Sequence, residues 1–264
     1  MGDVRDKREV WVFLFMIVAV NSLFIGGIAA EILPKRLYNL GRFLLLGVTL
    51  ASVVYAYRRT DGLRELMRSM NVWRVSPMWY LLALMWGPSI GLLVLAVKSL
   101  LTGTDAFSLN TELISRPSTM RTVFIGSFIG EIVWVSYSIN KLSARFGVLV
   151  GSLIVGMFWA LWWLPIVILG VGVVPELPVL ALMFNALGVA VMCGFIYSRT
   201  GSGPVVLLLQ IMLNSSALVL PIVPTNGGIP TYWAFALTYL SASLLLFLFF
   251  GPRPLFRQLA LRPL

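Results

Sequence analysis

The chain has 264 residues, 59% of them apolar (AVILMFWYC) and 11% charged, with a formal net charge of +10. A soluble domain is about half apolar and a quarter charged, so this composition excludes a water-soluble, disordered or disulfide-stapled protein and counts instead in apolar spans of about 20 residues. Histidine is absent and Cys193 is the single cysteine, which excludes zinc, haem and non-haem iron sites built on those ligands, imidazole-based triads and a disulfide within the chain.

The expected fold is all-α: one polytopic membrane domain over residues 1–264 with eight transmembrane helices. The first span covers 11–30; the charged start before it (Asp3, Arg5, Asp6, Lys7, Arg8, Glu9) lacks a cleavage signature, so an uncleaved helix is expected. The second covers 38–57, after a Pro34-Lys35-Arg36 break. In residues 58–77 the apolar set Leu63, Leu66, Met67, Met70 and Trp73 recurs at spacings of three and four beside Arg64, Arg68 and Arg74. That pattern predicts a basic amphipathic linker lying in the headgroup region, and a solvated basic loop is the alternative because Gly62 and Asn71 weaken a helix. The third span is 78–101, followed by a polar loop over 102–121. The fourth is 122–138, and NKLSARFG separates it from the fifth at 148–171. The sixth, seventh and eighth cover 177–197, 205–223 and 233–250.

Fourteen Lys and Arg fall on the side of the N-terminus, the linker after span two and the C-terminal tail, against six on the other, so both termini are expected in the cytoplasm. The excess positive charge is then a topology signal directed at anionic lipid, and no nucleic-acid partner is expected.

Polar groups inside spans each need a reason, since a charged one costs roughly 2.5 to 3.5 kcal/mol at the bilayer centre. Glu131 lies near the middle of span four, with Ser127 and Ser138 four and seven residues away. Gln210 and Asn214 are four apart on span seven. For Glu131 the alternatives are a functional carboxyl or a protonated acid bonded to a neighbouring helix; for the two amides, a ligand role or interhelical glue. Trp159, Trp162 and Trp163 ahead of Pro165 are read as packing residues, and Cys193 as a small buried apolar one. Asn21, Lys98 and Asn185 are further polar candidates without a pattern.

The stretches GEIVWVSYSINKLSARFGVLVGSLIVGMFWALWWLP and NALGVAVMCGFIYSRTGSGPVVLLLQIMLNSS resemble the CAAX protease and bacteriocin-processing family of intramembrane endopeptidases, over a core of residues 127–218. That family's EExxxR motif, often EEIGWRG, falls on Gly130 through Ser136; its histidine in a WALxHLP context falls on Trp163; and its HxxxN motif falls on Gln210 and Asn214. FIYSRTGS resembles the family's WLYxRTGS connector and includes Tyr197, Arg199 and Thr200. The resemblance implies a site in which the glutamates and first histidine activate water for attack on a peptide bond, and the last histidine and asparagine steady the oxyanion; a metal-dependent description of that site also exists. Here Gly130 stands for the first glutamate, Val135 for the arginine, Trp163 and Gln210 for the histidines, and Glu131 and Asn214 match.

Water attack on an amide needs a base and donors aimed at the oxyanion. Gln210 and Asn214 can donate, but Trp163 offers only an indole N–H and fills more space than histidine, and Val135 leaves Glu131 without the motif's cation. The reading is a catalytically silent member of the family that keeps a cavity for a membrane-embedded peptide or lipidated partner in the bilayer, with no cofactor and no metal. Two alternatives stand beside it. One is an active endopeptidase using Glu131 as base with Gln210 and Asn214 as oxyanion donors. The other is a small transporter or channel, disfavoured by the lack of two similar halves.

Overall fold

The computed structural model describes residues 2–251 apart from Thr104, Leu113 and residues 173–175; the C-terminal tail that supplies three cations to the topology count lies outside the described residues. Among the described residues the secondary structure is helical throughout. The helices are α1 Gly2–Ala29, α2 Tyr38–Leu66, α3 Pro77–Thr102, α4 Pro117–Gly130, α5 Asn140–Phe146, α6 Val148–Ile168, α7 Val179–Thr200, α8 Gly203–Val219, the short α9 Pro224–Gly227, and α10 Ile229–Phe250. Eight helical stretches are long and apolar enough to cross a membrane, as expected from the runs of hydrophobic sequence.

Two stretches differ in detail from the sequence reading. NKLSARFG is no loop: α4 runs into a π-helical segment, Glu131–Ile139, and on into α5, so that 117–146 is one continuous helical stretch. In residues 58–77 the backbone stays in α2 as far as Leu66, with a kink at Arg59 (φ 59°, ψ −149°), and then makes a 3₁₀ turn at Arg68–Asn71. Leu63 and Leu66 pack against the bundle core and Met70 is buried, while Met67 and Trp73 are exposed. The periodicity is satisfied partly by folding back on the protein, because the kink redirects the chain over the end of the bundle.

In the bundle α6 packs on α7, α7 on α10, α3 on α8, and α1 against both α2 and α6; α4 lies between α2 and α8. Apolar side chains gain little by leaving lipid for a protein interior, so helix association here depends on close approach and on polar contacts. Gly188 marks one such approach, since a Cβ there would stand 2.8 Å from the Leu240 Cα of α10. Ser202 caps the start of α8, accepting from the Val205 N–H while donating to the Val72 carbonyl at 2.6 Å. That bond ties α8 to the segment after α2.

Candidate functional site

Between α2, α4, α6, α7 and α8 lies a cavity of about 420 Å³. Along α4 it is bounded by Thr122, Gly126 and Gly130, and along α8 by Gln210, Asn214 and Leu218. Both sets recur every four residues, so each helix turns one face to the cavity over about 12 Å. The two helices run in opposite senses, with Gly130 and Gln210 at the buried end and Thr122 and Leu218 toward the loops, where Asn110, Thr225 and Asn226 form a polar rim. Four tryptophans form one side of the wall. Trp134 and Trp159 stack with centroids 5.5 Å apart, Trp134 meets Trp162 edge-on at 6.2 Å, and Trp162 meets Trp163 edge-on at 5.5 Å.

Four of the motif positions line this cavity: Gly130, Trp163, Gln210 and Asn214. Gln210 is 3% exposed and its Nε2 has no hydrogen-bond partner. Its Oε1 would lie 2.9 Å from a Cβ placed on Gly130, closer than such contacts are normally found. Glycine at 130 is therefore what allows the Gln210 side chain its present position, and the two replacements fit each other. Asn214 donates from Nδ2 to Ser127 Oγ at 3.1 Å, an α8 to α4 bond of the kind that holds membrane helices together. Trp163 presents its ring to the Arg42 guanidinium, whose Cζ is 4.4 Å from the ring centroid.

Glu131 and Val135 are absent from the cavity lining and lie in the core, at 0% exposure each. The π-helical segment is the local reason. Its wider turn brings residues five apart together, so that Ser136 Oγ donates to Glu131 Oε1 at 2.5 Å and Ser138 Oγ donates to the Val133 carbonyl at 2.7 Å. Ser136 is in turn bonded to Ser69 Oγ at 2.6 Å, in the turn after α2. The face shared by Ser127, Glu131 and Ser138 in a regular α-helix is thus broken up: Ser127 bonds Asn214, Ser138 bonds its own backbone, and Glu131 reaches toward Ser69. Glu131 Oε2 is buried without a partner.

The donor set does not fit a metal ion. The motif positions on the cavity offer two amides, an indole and a glycine, and among the described residues no three His, Cys, Asp or Glu stand together.

Other sequence candidates have structural partners. Asn21 donates to the Trp162 carbonyl at 2.7 Å, Lys98 donates to the Gly227 carbonyl at 2.8 Å, and Cys193 is fully buried. Asn185 lines the cavity. Two important residues were not singled out by sequence reasoning. Arg42, one of the six cations counted on the second side, is 7% exposed on the cavity wall; its place as the fifth residue of an apolar span was the available signal. Glu9, read as part of a charged leader, is 0% exposed and binds Arg58 and Lys141, each at 3.1 Å. Nothing local in the sequence marks that.

Fold and cavity together define an integral, multi-pass membrane helix bundle with a polar-rimmed, aromatic-walled cavity. Residues 114–216 match the sequence model of the family described as type II CAAX prenyl endopeptidase Rce1-like. This match spans all the motif positions above and agrees with the resemblance to the CAAX protease and bacteriocin-processing family. No curated protein matches the chain.

Proposed function

We propose that this protein is a catalytically silent member of the CAAX protease-like family that uses its cavity to hold a membrane-embedded peptide or lipidated partner without cleaving it. The observation that carries the reading is the pairing of Gly130 with Gln210: the end of the Gln210 side chain lies where a side chain at 130 would begin, so the amide stands in the place of the motif's first glutamate. Trp163 supports it as well. An indole can donate a hydrogen bond but neither accepts a proton nor activates water, and its ring is engaged with Arg42 at 4.4 Å. Glu131 lies off the cavity, bonded to Ser136, away from where a general base would have to meet a substrate carbonyl. A binder needs the cavity and its donors, and these remain.

The test is a cleavage assay on purified protein, in detergent and in liposomes, with prenylated and unmodified C-terminal peptides and Glu131→Ala in parallel. The expected result is no cleavage by folded wild-type protein. Cleavage by the wild type that is lost in Glu131→Ala would overturn the reading in favour of an active endopeptidase with a reduced site.

A further inference from the structure

Arg42 is a cation held inside the bundle with no carboxylate bonded to it among the described residues. It is more than nine-tenths buried, and the rings of Tyr38, Phe43, Trp162 and Trp163 surround its Cζ at 4.8, 4.4, 5.2 and 4.4 Å from their centroids. Aromatic faces stabilise the charge but accept no ordinary hydrogen bond, and Nε and Nη1 are both buried with no partner. Among the described residues no Asp or Glu lines the cavity. A buried cation without an anion is expensive, and the usual solutions are a paired acid, a carbonyl or a water-filled path. Two more donors on the same wall are also unsatisfied: the Trp162 indole Nε1 and Gln210 Nε2. Arg42 packs on Trp162, which meets Trp134 edge-on, and Trp134 and Gln210 line the same cavity.

We infer that this cavity is a binding site for a single-chain amphiphile with an anionic head, a carboxylate or phosphate, whose charge is taken by Arg42 and whose apolar chain lies along the tryptophan wall. This deepens the reading of the cavity as a ligand site by naming the ligand's chemistry. The head belongs at Arg42 because that residue sits one turn from the start of α2, near the polar rim, as an amphiphile entering from the headgroup region requires. One chain is specified by size. At about 420 Å³ the cavity is at the smaller end of small-molecule sites and suits one acyl chain better than a two-chain lipid. Charge-assisted bonds to a guanidinium in a water-poor site are the strong ones, so most of the selectivity between a charged and a neutral head rests on this residue.

The experiment places the full-length protein in nanodiscs of phosphatidylcholine and follows quenching of tryptophan fluorescence by dibrominated stearate and by its uncharged methyl ester, with Arg42→Gln and Arg42→Lys alongside. The expected result is saturable quenching by the acid, with the ester weaker by about tenfold or more. Arg42→Gln abolishes that preference and Arg42→Lys keeps part of it. Equal binding of acid and ester by the wild type overturns the inference while leaving a silent, ligand-holding protein intact, and this comparison needs no variant to fold. Binding of the acid undiminished in folded Arg42→Gln overturns it too. Displacement of the quencher by acetate or inorganic phosphate as readily as by unlabelled stearate would assign the site to a free anion and remove the amphiphile. Quenching by neither probe would overturn both this inference and the ligand-holding role of the cavity, whereas peptide cleavage would overturn only the silence.

Discussion

At one end of the bundle Glu9 carries a fully buried carboxylate that accepts from Arg58, Lys141 and the Tyr137 hydroxyl, each at 3.1 Å, beside a pocket of about 760 Å³. At the other, Arg42 carries a buried guanidinium enclosed by four aromatic rings and, among the described residues, bonded to no acid. Arg42 and Arg58 stand on the same helix, sixteen residues and so about 24 Å apart. The first arrangement closes on itself, with both signs of charge present and Arg58 also reaching Glu65. The second has one sign of charge and open donors. Buried charge that is paired is a feature of the architecture; buried charge left unpaired on a cavity wall points to something outside the chain.

The largest expected effect is at the paired end. Glu9→Ala removes a fully buried acid from two cations and a phenol at once, and should lower stability by about 3 kcal/mol, the scale for breaking a buried pair, with some relief because Arg58 and Lys141 are partly exposed. Chemical unfolding in detergent measures it; a loss below about 1 kcal/mol would mean that the network is ornamental.

Next comes the cavity floor. Gly130→Ala should cost at most about 1 kcal/mol, because the end of the Gln210 side chain must shift into the cavity, and Gln210→Ala in the same chain should recover that loss. Additive effects in the double-mutant cycle would show that the two positions do not accommodate each other.

Arg42→Met sharpens the contrast. In the absence of ligand it should leave stability unchanged or raise it, by up to about 2 kcal/mol, because an apolar side chain replaces a charge that has aromatic faces around it but no acid among the described residues. A loss comparable to that from Glu9→Ala would make Arg42 a structural residue like its counterpart. The smallest effect is expected for Asn214→Ala, about 0.6 kcal/mol, the average worth of an interhelical hydrogen bond to a partner such as Ser127. Here a steric trap or thermal shift assay is sensitive enough.

Much of the architecture was legible in the sequence and the site only in part. Eight apolar runs became eight helical stretches, and Gly130, Trp163, Gln210 and Asn214, placed by the motif resemblance, meet on one cavity. Glu131 had been placed on one face with Ser127 and Ser138 on the assumption of regular α-helix through span four. A π-helical segment beginning at that residue changes which positions share a face, and hydropathy carries no signal for it. The tryptophans read as packing are also the cavity wall, a double role that periodicity cannot separate from core.

The amino-acid sequence by itself determined the membrane class, the number of spans and the absence of any imidazole, because run length against bilayer thickness and residue inventory are local properties. Only the tertiary structure decided that Glu9 of α1 meets Arg58 and Lys141, that Arg42 of α2 is enclosed by tryptophans of α6, and that Gln210 occupies the room left by Gly130. Each of those meetings joins residues far apart in the chain. It is set by how helices approach and turn about their axes, and a span's composition does not encode that rotation.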